Sequence, residues 1–260
     1  MPNEGGSWRK LKTVDSALEV INALAELDGA GVTELSSHTG ISKSSTYTQL
    51  ATLQEAGFLT KEDNEYNLSY QFLLLGEYVR NNALIFQHGR SKAEELASET
   101  GHHVHLFVEE DGLGVNVYEV RGELAGDYEY QSTKLQHREP LHITASGKAI
   151  LAHLSKDRVD DIVEEHGLES YTENTITNKE DLKYELEAIQ EQGFALNDEE
   201  EIEGFRAIAA PIITSRQGVV GSISLAGPTT YLNGEQFNKT LPEQVKKIAN
   251  MIQVEINMSQ

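Results

Sequence analysis

The chain has 260 residues, 38% of them hydrophobic and 24% charged, with a formal net charge of -21. That length can bury a real core in one large or two ordinary domains, and the composition excludes a disordered or low-complexity polypeptide. There is no cysteine, which excludes disulfides and thiolate zinc sites, and no apolar run approaches the roughly 20 residues of a membrane span.

The opening "MPNEGGSWRKLK" has no apolar stretch of signal-peptide type, so a cytoplasmic protein without a membrane partner is expected. From Thr13 the apolar residues take a helical period. Val14, Leu18, Ile21 and Leu24 share a stripe with Leu27 beside it, Thr13 is a suitable N-cap, and Gly29 ends the helix. "GVTELSSHTG" fits a short helix capped by Thr33 and closed by Gly40. A third helix runs from near Ser42 to about Ala56, with Gly57 at its end. Phe58-Leu59 and Tyr66–Leu68 then flank the turn-prone "EDNE", which predicts a hairpin. Three helices and a hairpin in this order make a winged helix-turn-helix, assigned to residues 1–70.

"YQFLLLGEYVRNNALIFQ" predicts a linker helix, residues 71–90, and "SKAEELASETG" a further helix with a glycine stop. The period then becomes two. In "HHVHLFVEE", Val104, Leu106 and Val108 alternate with His103, His105 and Phe107. "GLGVNVYEVRG" and "YEYQSTK" read as partner strands. "TASGKAILAHL", "KDRVDDIVEEHG" and "KEDLKYELEAIQEQG" read as helices, the last with Leu182, Leu186 and Ile189 on one stripe. "AIAAPIITSRQGVVGSISLAGP" is two strands turned at "SRQG", and "LPEQVKKIANMIQVEINMS" is an amphipathic helix. Helices mixed with an antiparallel sheet place residues 91–260 in the α+β class.

The third helix carries the functional signal. With Leu50 at the centre of its buried face, Thr46 and Leu53 fall beside it. Ser44, Ser45, Thr48 and Thr52 face outward, with Tyr47 and Gln49 on the flanks. Residues 1–70 hold five basic and ten acidic residues, and the remainder carries a net charge of -16. Yet Ile41 to Gln54 contains no acid. A helix that enters the major groove cannot bring carboxylates near phosphates without cost, whereas hydroxyls, amides and one lysine donate hydrogen bonds there. Lys43 at the helix start is placed for a phosphate. Arg9, Lys10 and Lys12 precede the first helix and are expected at phosphate or minor groove, and Lys61 falls on the predicted wing. Elsewhere, hydrated carboxylates with few lysines are the expected surface of a halophile.

"LKTVDSALEVINALAE", "GVTELSSHTGISKSSTYTQLATLQEAGFL" and "YNLSYQFLLLG" resemble the IclR family of transcriptional regulators, here of halophilic archaeal type. "LHITASGKAILAHL", "GFALNDEEEIEGFRAIAAPI" and "GVVGSISLAGP" extend the resemblance over nearly the whole chain. It implies a recognition helix over Lys43–Leu53 with the hairpin as its wing. It also implies a C-terminal effector domain related to GAF and profilin-like folds. Where the family has an arginine or another basic residue, this chain has Thr48. By position, the implied effector lining is Ala145, Ser146, Asn197, Ala207, Ser224 and Ala226. A helix N-terminus with a serine suits a carboxylate there. Ala207 and Ala226 replace the more polar side chains of members that bind α-keto acids, which leaves a larger or less polar ligand, or none, open. The implied partners are operator DNA, a small organic, sugar or aromatic acid, and a second copy or three further copies of the chain. Dimerisation is implied through the N-terminal domains and the linker helix.

Other motifs carry less. "ASGKAI" lacks the first glycine and the metal-binding hydroxyl of a P-loop, and "GLGVNV" lacks the third glycine of a dinucleotide fingerprint. His103 and His105, on one face of a strand with His102 near, could hold a metal, but no third ligand is fixed by the sequence, and a packed or surface histidine pair is expected. "NDEEEIEG" reads as a solvated acidic turn. No nucleophile–base set stands out, so neither an enzyme nor a cofactor is expected. The alternative reading is a small-molecule sensor or interaction protein without sequence-specific DNA binding.

Overall fold

The computed structural model describes residues 10–124 and 138–259. The predicted strand "YEYQSTK" and the candidate Arg9 lie outside the described residues. The chain divides into two compact units, one ending at Val79 and the other beginning at Arg80.

In the first unit α1 (Lys12–Glu26), α2 (Val32–Thr39) and α3 (Lys43–Glu55) precede a hairpin of β1 (Leu59–Glu62) and β2 (Glu65–Leu68). The predicted winged helix-turn-helix is thus formed. Its core is Val20, Ala23, Leu24, Ala30, Leu35, Leu50, Leu59 and Tyr66. The hairpin turn is two residues, Asp63 and Asn64, both at positive φ, which short polar side chains tolerate and the right-handed strand twist demands. Gly40 closes α2 in the left-handed conformation, as expected.

Two helix starts differ from expectation. α1 begins at Lys12, one residue before Thr13, because the Leu11 carbonyl accepts from the Val14 and Asp15 amides and no side-chain cap is made. α2 begins at Val32 after Gly31, so Thr33 is inside the helix rather than capping it. The α1 stripe is also shifted. Val20, Ala23 and Leu24 are buried, while Val14 and Leu18 are 53% and 55% exposed. This helix carries two apolar faces, and the core takes the one that includes an alanine.

α4 (Gln71–Asn82) and α5 (Leu84–Thr100) follow. The break falls at Ala83, whose extended backbone (φ -74, ψ 121) interrupts the helix. The expected break near residue 90 is absent, and α5 absorbs "SKAEELASET". In the second unit come β3 (His103–Glu110), β4 (Leu113–Val120), β5 (Arg138–Pro140) and a short 3-10 turn (Leu141–Ile143). The rest is α6 (Ala145–Leu151), α7 (Lys156–His166), α8 (Lys179–Gln192), β6 (Ala195–Asp198), β7 (Phe205–Thr214), β8 (Gly218–Pro228) and α9 (Leu241–Ser259). The six strands form one antiparallel sheet in the order β5-β4-β3-β8-β7-β6.

Helices cover both faces. α5 and α9 pack on Val104, Leu106, Ile208, Ala210, Ile212, Ile223 and Leu225. α6, α7 and α8 build a second core with Phe107, Ala195 and Ala209. A sheet buried on both sides needs apolar or well-bonded residues on both sides of its central strands. This is why His103 and His105 are buried along with Val104 and Leu106.

Leu50 is fully buried at the centre of the first unit. Leu50→Ala is expected to cost about 2–5 kcal/mol of stability, read by chemical denaturation. A loss below about 1 kcal/mol would show that α3 is not anchored there.

Candidate functional site

The first candidate surface is the outer face of α3 with the hairpin. Ser42 caps the helix, its Oγ accepting from the Ser45 amide at 3.3 Å. Thr46 is buried and its hydroxyl donates to the Ser42 carbonyl at 3.1 Å, which fixes the entry of the helix. Lys43, Ser44, Ser45 and Thr48 are exposed, Tyr47 is 58% exposed and Gln49 half-buried. The Thr48 and Thr52 hydroxyls donate to the Ser44 and Thr48 carbonyls at 3.0 and 2.9 Å. Their hydrogens are thus turned toward the helix, and the outward lone pairs are acceptors. Acceptors and methyl groups suit the exposed amino groups and thymine methyls of a major groove. Lys61 lies on the exposed side of β1, its Nζ 4.9 Å from the Tyr66 ring centroid. Lys10 and Lys12 are exposed at the start of α1.

The second candidate is a cavity of about 20 Å³ in the second unit, on the α6 side of the sheet. Ala145, Ser146, Ala207, Ser224 and Ala226 all line it, so five of the six sequence-predicted lining residues come together. The sixth, Asn197, is buried outside the lining. Its amide donates to the Ile143 carbonyl at 2.7 Å and accepts from the Glu200 amide at 2.9 Å, so both its ends hold backbone. Ser146 Oγ donates to Ser224 Oγ at 2.9 Å across the cavity wall. α6 has only seven residues, and Thr144 Oγ1 already accepts the Gly147 amide. One amide of the expected open helix terminus is therefore taken by its own cap.

Six further lining residues were not read from the sequence: His105, Phe107, Asn116, Glu139, Thr144 and Glu201. The alternation of β3 placed His105 and Phe107 on one face. Which face the cavity occupies depends on strand order, which periodicity does not carry.

Behind the cavity lies a buried cation. Lys148 is 1% exposed, and its Nζ donates to Glu200 at 2.5 Å and Glu185 at 3.0 Å. Burial pushes the Glu200 carboxyl above its ordinary range, against the opposing pull of Lys148. The "NDEEEIEG" segment is thus not a solvated turn. It holds an ammonium, and Glu199 accepts from the Gly204 amide at 2.7 Å.

The histidines pack as a row. The His103 and His105 rings stack at 6.2 Å, and His103 Nδ1 is 3.4 Å from Glu119. Burial alone would raise Glu119, but His103, His105 and Arg121 together hold it below its ordinary value. Burial pushes His102 down, helped by His103. It pushes His142 down as well, against its hydrogen bond to the Glu169 carbonyl. Among the described residues no group of three or more metal-ligating side chains converges.

A family model described as the IclR helix-turn-helix domain matches residues 13–63, and one described as bacterial transcriptional regulator IclR, C-terminal, matches residues 78–254. The chain belongs to the IclR family. It is accordingly a ligand-responsive, DNA-binding transcriptional regulator of metabolic operons, not an enzyme. IclR relatives include the probable regulator ArcR of Halobacterium salinarum, 33% identical over 252 residues that cover 96% of each chain. KdgR of Escherichia coli is 30% identical over 87% of each chain. The IclR of Thermotoga maritima superposes with a TM-score of 0.78 at 26% identity, over 95% of this chain and all of that one. An IclR homologue from Microbacterium hydrocarbonoxydans, in complex with 4-hydroxybenzoate, has the same TM-score at 17% identity over 95% of this chain and 100% of its own. Among the described residues of this IclR chain, no helix is long and apolar enough to cross a membrane.

Removing Lys148 should leave Glu200 buried without its cation. Lys148→Ala is expected to cost about 3–5 kcal/mol, measured by urea unfolding, and an unchanged midpoint would contradict the buried pair. His102 and His142 titrate below the ordinary 6.5 when folded. Their contribution is therefore present above that value and is lost as pH falls beneath it. Stability should decline below about pH 6.5, and His142→Gln should lessen the decline.

Proposed function

We propose that this regulator works in the cytoplasm of a salt-rich cell as a homodimer or homotetramer that binds double-stranded operator DNA of a catabolic operon. In this reading residues 1–70 read DNA, residues 71–90 carry the signal and residues 91–260 hold the effector. Lys43, Ser44, Ser45, Tyr47, Thr48 and Gln49 meet the major groove, Lys61 serves the wing, and Arg9, Lys10 and Lys12 serve phosphate or minor groove. The observation that carries the reading is the acid-free outer face of α3 on a chain of net charge -21. Exposed apolar side chains on α1 (Val14, Leu18) and on α4 (Leu73, Leu74, Tyr78, Val79) favour association with a second copy. The Halobacterium salinarum relative supports the reading of the acidic surface.

The effector in this reading is a small organic, sugar or aromatic acid, held by Ala145, Ser146, Ala207, Ser224 and Ala226, with Asn197 shaping the wall. The 4-hydroxybenzoate complex of the distant homologue supports an acid. A cavity of about 20 Å³ admits a single water. Binding therefore selects an opened form in which the Ser146–Ser224 contact has parted, and the effector acts through its preference for that form.

Few cations mean few released counterions. Binding to the protein's own promoter DNA, followed by fluorescence anisotropy across a salt series, should show a shallow slope, far from the -10 of a strongly electrostatic repressor. Lys43→Ala should reduce the slope by about 1 without changing sequence preference. Absence of sequence-specific binding at every salt concentration would favour a sensor without DNA binding.

A further inference from the structure

The effector cavity has an unusual charge for a site that receives an acid. Two carboxylates, Glu139 and Glu201, line it, and Glu139 is buried. Among the described residues no lysine or arginine lines it. The nearby cations have other partners. Lys148 holds Glu185 and Glu200, Arg206 holds Asp198, and Arg138 holds Glu110. An anion that entered alone would add a third negative charge to a small, poorly hydrated space, and such like-charge contacts are strongly unfavourable.

One lining group can change this balance, the imidazole of His105. The groups that face it are few. His103 stacks on it from the same strand. Glu119 is its register partner on β4, with Arg121 behind. Glu139 comes from β5 and Glu201 from the β6–β7 connection, while β8 and α6 contribute the neutral Ser224 and Ser146. Two carboxylates thus share the cavity with His105, and a third, Glu119, lies beside the His103–His105 stack.

Resting on the effector reading above, we propose that this site takes its acid together with one proton, held between His105 and the cavity carboxylates, so that it selects weak acids of single negative charge. Charge is then conserved in the cavity: one anion and one proton enter, and no buried charge is added. The proton comes from solvent and no bond in the ligand breaks. A di-acid brings a second charge without a second base to answer it. The coupling also gives the regulator a response to cytosolic acidity at constant effector concentration.

The test is isothermal titration of the full-length protein with 4-hydroxybenzoate, gluconate and glycolate, each beside its neutral amide. It is run from pH 5.5 to 8.5 in two buffers of different ionisation enthalpy. The expected result for an acid that binds is uptake of about one proton, with Kd weakening about tenfold per pH unit as pH rises. The amide should show neither effect. His105→Asn should abolish proton uptake and weaken the acid at least tenfold at pH 6 while sparing the amide. Glu139→Gln, which keeps His105, should strengthen the acid and flatten its pH dependence. Uptake near zero in the unaltered protein, or unchanged uptake in His105→Asn, overturns this inference and leaves the effector reading standing. If none of the three acids binds at any pH, both are overturned.

Discussion

The buried ammonium of Lys148 obliges three separate pieces of chain to meet. A lysine cation out of water is tolerated only where carboxylates surround it, and Glu200 and Glu185 come from the β6–β7 connection and from α8. α6 is thereby held at a fixed height over the sheet. Asn197 reinforces this by clamping the Ile143 carbonyl and the Glu200 amide together. Ser146 then reaches Ser224, and the cavity between α6 and the sheet is the space this arrangement leaves. The position of the cavity wall therefore follows from an electrostatic requirement located behind it.

Much of this was legible in advance where the local signal was strong. α3 announced itself through Ser42 at its start, the Thr46–Leu50–Leu53 stripe and Gly57 beyond its end, and the hairpin through Asp63 and Asn64. Other features had no local signature. Ala83 interrupts the α4–α5 run without a proline or glycine to mark it. "NDEEEIEG" has the composition of a solvated turn, and nothing in it reveals that Glu200 meets a lysine 52 residues earlier. The polar face of β3 left a packed and a surface histidine pair equally open, because alternation reports two different faces, not which of them is wet. Five cavity residues were reached through the family resemblance, whereas Glu139, Glu201 and Asn116 depend on strand neighbours that only the folded sheet defines.

The same tension between charge and function recurs in both units. A chain that presents carboxylates to solvent must suspend that habit wherever it meets another anion. On α3 this takes the form of a stretch without acids, with threonine hydroxyls folded back on the helix. In the cavity Glu139 and Glu201 remain, with the imidazole of His105 beside them. DNA contacts built on acceptors and methyls depend on shape and base edge more than on counterion release, which suits a chain with few cations.

The Ser146–Ser224 hydrogen bond lies in the wall of a space that holds no more than one water. If the effector binds here as proposed, it takes the fraction of molecules in which this contact is broken, and its apparent affinity is lowered by that fraction. In the proposed reading the serine pair therefore acts as a threshold: only an acid whose contacts outweigh the parting of the two hydroxyls shifts the population to the open form.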